Sequence, residues 1–164
     1  MNLTEEPRRM NLREELIHKY NGYEARGHSV FTVTLSTYVK SEAIAKSDRM
    51  RNFWDHHFIH RVKRCLPFKL KEQLDHDFIV ERSPEGHYHY HGLLAFTSDA
   101  GKRIWHDGAL DAQLKRDLDS FRRAGGYRPF CVNKHLIEPI RSGATDPWCK
   151  YITKSNDIPM SGRH

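Results

Sequence analysis

The sequence predicts an α+β domain, a central antiparallel sheet of about five strands with helices packed mainly on one face. Three observations lead there. "HDFIVE" and "HYHYHGLLAFT" flank the turn signal "RSPEG" and read together as a hairpin over residues 76–97. The elements follow in the order strand, helix, hairpin, helix, strand, helix, which suits an antiparallel sheet with helical cover. The length, 164 residues, favours one domain over 1–164 with a single core.

Each element has its own signal. Residues 10–20 read as a short helix that "NGYEARGH" ends. "SVFTVTLS", residues 29–36, is β-branched and aromatic and reads as a strand. "SEAIAKSDRMRNFWDHHFIHRVKRCL" reads as one long amphipathic helix, with Ile44, Met50, Phe53, Trp54, Phe58, Ile59 and Val62 near helical spacing. Residues 100–124 read as a mostly polar helical region, broken at Gly108 and closed by "AGG". "FCVNKHLIEPI" is a further strand, with Pro139 marking an edge or an exit. "TDPWCKYITKS" opens a last helix, with Asp146 as N-cap and Pro147 at the first helical position.

Composition narrows the partners. Lys and Arg outnumber Asp and Glu 27 to 21, giving a net charge of +6 and a pI near 9.3. That balance points to an anionic partner, for which nucleic acid is the commonest reason. Cys65, Cys131 and Cys149 are scattered and form no CxxC pair, which argues against a zinc ribbon or a disulfide framework. Such thiols suit a reducing interior. The stretch "MNLTEEPRRMNLREEL" is charged and shows no signal peptide, and no apolar run is long enough to span a membrane.

The most informative stretch is "HYHYHGLLAF". Successive strand side chains point to opposite faces, so His87, His89 and His91 share one face while Tyr88, Tyr90, Leu94 and Phe96 share the core side. On the preceding strand Phe78 and Val80 want the core, so Glu81 points the other way. A turn with an odd number of residues puts Glu81 on the histidine face, opposite His87 and diagonal to His89. Two imidazoles and a carboxylate on a rigid hairpin suit a borderline divalent cation such as Mn²⁺, with open positions left for substrate. A lone histidine on that face would read as ordinary strand polarity. Three in register beside an acid favour a metal, with zinc the weaker choice because no cysteine is near.

These residues carry a resemblance. "HYHGLLAF" resembles the histidine–hydrophobic–histidine motif of the HUH endonuclease superfamily, and Glu81, eight positions before His89, matches the acid of its Rep initiators. "FTVTLS", Phe31 to Ser36, is similar to their first motif. "YITK", Tyr151 to Lys154, fits the Tyr-x-x-Lys of the catalytic helix in single-tyrosine Rep proteins, and the three motifs occur in the family's order. His87, an extra histidine, and Ser155, where an acid often follows the Lys, depart from the pattern.

The resemblance implies a ferredoxin/RRM-like HUH fold and a nickase that cuts and rejoins single-stranded origin DNA to start rolling-circle replication of a plasmid, phage or virus. It assigns Tyr151 as nucleophile and Glu81, His89 and His91 as ligands of Mn²⁺ or Mg²⁺. His87, outside the pattern, is a supporting or alternative ligand by its place on the same strand face. A phenol titrates near pH ~10, so attack at neutral pH needs help. Lys154, on the same helical face as Tyr151, would supply it or hold a phosphate. Tyr38 and Tyr127, in loop-like sequence, are lesser tyrosine candidates. "HRVKRCLPFKLK" and "FRRAGGYRP" are candidate DNA-contact stretches. With no Gly-x-x-x-x-Gly-Lys-Ser/Thr stretch, the chain carries no helicase, and the helicase would be a separate partner or a fused domain elsewhere. The expected compartment is the cytoplasm, or the host nucleus for a eukaryotic virus. A transposase of a small insertion sequence and a non-catalytic RRM-like binding module are the competing readings.

Overall fold

The computed structural model describes residues 11–64, 74–96, 112, 116, 132–154 and 159–161. The expected helix over 100–124, the stretch "FRRAGGYRP", Tyr127, Ser155, Cys65 and Cys131 lie outside the described residues, save for 112 and 116.

Helix α1 spans Leu12–Ala25, and Asn11 and Glu14 close its start as a capping box. Strand β1 follows at Ser29–Thr37. The segment expected as one long helix is broken into α2 (Glu42–Ala45), α3 (Asp48–Asn52), a π-helical turn at Phe53–Phe58 and α4 (Ile59–Arg64). The break has a local cause. Ser41 caps α2 by accepting from the Ile44 amide, and Ser47 starts α3 anew by accepting from the Met50 amide. The Ser47 hydroxyl also donates to the Ile44 carbonyl, which fixes the corner between the two.

The hairpin forms from β2 (Leu74–Arg82) and β3 (Tyr88–Phe96). Strand β4 covers Val132–Pro139, helix α5 covers Thr145–Ile152, and β5 is a three-residue edge, Pro159–Ser161. All pairings are antiparallel, in the order β4-β1-β3-β2-β5, so four long strands make the sheet and β5 borders β2. Among the described residues no helix is long and apolar enough to cross a membrane.

The main core lies between one sheet face and the α2–α4 segment. Phe31, Val33, Leu35, Phe78, Val80, Tyr90, Leu94 and Phe96 face Met50, Trp54, Phe58 and Val62, all buried. Burial of each such side chain contributes about 1.5–3 kcal/mol. The expectation that helices cover mainly one face needs correction. Helices α1 and α5 pack on the opposite face, where Leu16, Tyr20, Cys149 and Ile152 meet Val30, Ile79, Leu93 and Ala95. The reason is legible in β3, whose end "GLLAF" is apolar on both faces and demands cover on both sides. Burial pushes the Cys149 thiol up to about 12, so it packs there as a neutral group.

Helices α1 and α5 cover one end of their face. The other end, with Thr34, Ser36, Glu81, His89 and His91, opens into a cleft.

Candidate active site

The cleft has a volume of about 540 Å³ and is lined by β1 (Thr34, Ser36), by β2, β3 and their turn, and by Tyr151 and Lys154 from the end of α5. Parity places Glu81, His89 and His91 on this face, as the alternation of the sequence predicts. The register differs. Glu81 pairs with His89, two positions from the expected partner, because β2 runs through Arg82 and the loop is Ser83–His87. Within that loop Ser83 N–H donates to the His87 carbonyl at 2.7 Å, and Gly86 takes φ 87°, which only glycine adopts at little cost. The shift carries His87 off the strand. Its ring stands edge-on to that of Tyr38, 6.4 Å between centroids, and does not line the cleft.

The two strand histidines are held alike. His89 Nδ1 lies 3.0 Å from the Ser36 hydroxyl, and His91 Nδ1 lies 3.2 Å from the Thr34 hydroxyl. Their rings are parallel, 5° apart, at 6.2 Å. With both Nδ1 edges toward β1, both Nε2 edges face β2. His91 Nε2 accordingly sits 3.2 Å from Glu81 Oε2. Burial pushes the His91 imidazole below its ordinary value, against the pull of Glu81, and His89 and Lys154 add to the downward push. A neutral imidazole with its Nδ1 engaged is the form that ligates a cation through Nε2. Ser36 and Thr34 contact the two imidazoles, and nothing in "FTVTLS" beyond its strand character points to them as site residues. The available signal is parity, since both alternate with the buried Val33 and Leu35.

Helix α5 brings the tyrosine. It starts at Thr145 with Ala144 as N-cap, two positions earlier than Asp146 as cap implies. Asp146 instead accepts from the Asn21 side-chain amide at 2.7 Å, and Thr145 bonds Glu24, so α5 is tied to α1. Trp148 Nε1 donates to the Gly92 carbonyl on β3 at 3.1 Å. The Tyr151 ring then packs against both Trp148, 5.6 Å away with planes 29° apart, and His91, 5.6 Å away and edge-on, in a cluster of three rings. Its side chain is 46% exposed, so it is not a core residue.

Lys154 falls just past the helix, in the turn, rather than on it. It still reaches the site. Its Nζ lies 3.0 Å from Glu81 Oε1 and 4.0 Å from the centroid of the Tyr151 ring. The hydrogen bond with Glu81 holds the Lys154 ammonium above its ordinary value, so it stays charged.

Glu81, His89 and His91 offer one oxygen and two nitrogen donors on adjacent strands, a set that fits a borderline divalent cation. As the side chains stand, no three His, Cys, Asp or Glu groups among the described residues converge on one point. Glu81 is drawn instead to Lys154 and His91.

No family profile matches the chain, and neither the curated proteins nor the solved structures give a match.

Proposed function

We propose that the protein nicks and rejoins single-stranded DNA through a covalent link to Tyr151, as a Rep-type HUH endonuclease of rolling-circle replication. One observation carries the reading: an exposed tyrosine on α5 stands beside a histidine pair, an acid and a lysine gathered from three separate parts of the chain. A structural tyrosine on an amphipathic helix would turn its ring inward, whereas Tyr151 lines an open cleft.

In the proposed reaction the Tyr151 oxygen attacks the scissile phosphorus and loses its proton to solvent. The bond from phosphorus to the 3′ oxygen breaks, and that oxygen takes up a proton to leave as a free hydroxyl. The 5′ phosphate stays on the tyrosine. Rejoining is the reverse, with the 3′ hydroxyl attacking the phosphotyrosine, and it needs no ATP because one ester replaces another. Lys154 opposes the negative charge that develops on the phenolic oxygen. His91 and Trp148 hold the ring in place, and the hydroxyls of Ser36 and Thr34 hold the imidazoles. Glu81, His89 and His91 would hold Mn²⁺ or Mg²⁺, which supplies Lewis-acid stabilisation of the phosphate oxygens. The net charge of +6 favours the polyanionic substrate.

The test uses a 3′-labelled pool of randomised single-stranded oligonucleotides with Mn²⁺ or with a chelator. The reading expects a labelled protein–DNA band on a denaturing gel with Mn²⁺ and none with the chelator. DNA binding without any cleavage product in Mn²⁺ would reduce the protein to a binding module.

A further inference from the structure

Glu81 has both carboxylate oxygens engaged by other groups of the same cleft. Oε2 faces His91 Nε2 at 3.2 Å and Oε1 faces the Lys154 ammonium at 3.0 Å. A divalent cation that takes Glu81 as ligand must therefore remove or repel an internal cation already there. Two positive charges within a few ångströms of one carboxylate oppose each other, and water screens that opposition without abolishing it.

We propose that Lys154 is a competing counter-ion of the site: it closes Glu81 in the resting protein and is released toward the Tyr151 oxygen and the bound phosphate when a divalent cation takes the carboxylate. This rests on the cation site proposed above. The geometry supplies the means for such a release. Lys154 sits in a turn, its backbone N–H reaching the Tyr151 carbonyl only at 3.4 Å, so no regular helix fixes it. Its side chain is 45% exposed and lines the cleft, and a lysine stem is flexible. The Tyr151 ring is already 4.0 Å from Nζ, so the movement required is short. Glu81 thus meets His91 through one oxygen and the ammonium through the other. In the resting protein the pair also gives a counter-charge to a carboxylate that is only 19% exposed.

The consequence is a pair of effects with opposite signs. A neutral side chain at 154 should bind the cation more tightly and cleave DNA more slowly. A lysine that only helped the chemistry would change the second and leave the first alone.

The experiment titrates the DNA-free protein with Mn²⁺ and follows the loss of the free-ion signal by electron paramagnetic resonance. Lys154→Met should lower the Mn²⁺ dissociation constant by about three- to tenfold, the range expected for removing one partly screened charge beside a ligand. Lys154→Arg keeps the charge and should bind like the parent. His89→Ala should lose most of the affinity. Lys154→Gln, also neutral, repeats the measurement if Met disturbs the fold. Equal or weaker binding by Lys154→Met and Lys154→Gln, with His89→Ala still defective, overturns the competition and leaves the cation site standing. Unchanged binding in His89→Ala overturns the cation site and the competition together.

Discussion

Gly92 shows how closely β2 and β3 approach beneath the histidines. A Cβ there would overlap the Asp77 carbonyl oxygen and meet the Phe78 ring at 2.6 Å. The backbone carbonyl of the same residue receives the Trp148 indole N–H. Gly92→Ala should therefore destabilise the fold by about 2–4 kcal/mol in urea unfolding, as overpacking against backbone does. Asp77, next to it in space, carries the clearest pH signature. Burial raises its carboxyl to about 6, and the hydrogen bonds from Lys19 at 2.7 Å and Tyr20 at 2.8 Å offset this only in part. For Lys19 burial works downward, but the Asp77 and Asp75 charges outweigh it and raise the ammonium. Since the folded protein holds the Asp77 proton more tightly than the unfolded chain, stability falls as pH climbs from about 4 to about 6. Asp77→Asn should flatten the unfolding free energy across that window, and an unchanged slope would assign it elsewhere. At the site, His89→Ala or His91→Ala should abolish cleavage in the gel assay while His87→Ala should leave most of it. His87 lies against Tyr38, outside the cleft.

Among the elements, the hairpin was the most legible in the sequence, because alternation is a local property of extended backbone. Parity alone put Glu81, His89 and His91 on one face. It did not fix which residue faces which, since register depends on the loop, and the Gly86 turn moved Glu81 from His87 to His89. Apolar spacing correctly placed Met50, Trp54, Phe58 and Val62 in the core but missed the two serine caps that divide the segment. That β3 needs cover on both faces is legible in "GLLAF", but that α1 supplies part of it is not, because α1 carries a mixed surface. Leu16 and Tyr20 are its buried residues, and its anchoring to the sheet includes polar contacts from Tyr20 and Lys19 to Asp77. The position of α5 decides where Tyr151 stands, and that is testable. Trp148→Phe keeps a ring against Tyr151 and His91 but removes the bond to the Gly92 carbonyl. It should cost about 1 kcal/mol of stability, read by urea unfolding.

In the whole molecule, a sheet packed on both faces opens at one end into the cleft of Glu81, His89, His91 and Tyr151. A cation that binds only the folded form must stabilise it by mass action. Mn²⁺ at a hundredfold excess over its dissociation constant should add about 2.7 kcal/mol, seen as a rise in Tm that His91→Ala abolishes. Tyr151→Phe should show the parental Tm, since the residue is 46% exposed and the ring contacts are kept. In the proposed reaction Tyr151 becomes joined to DNA. The most direct measurement incubates the protein with single-stranded oligonucleotides and Mn²⁺, isolates the denatured adduct, digests it and maps the DNA-linked peptide by mass spectrometry. Linkage through Tyr151 is the expected result, with no adduct in Tyr151→Phe. Linkage through Tyr38 or Tyr127, or a full yield of adduct from Tyr151→Phe, would contradict it.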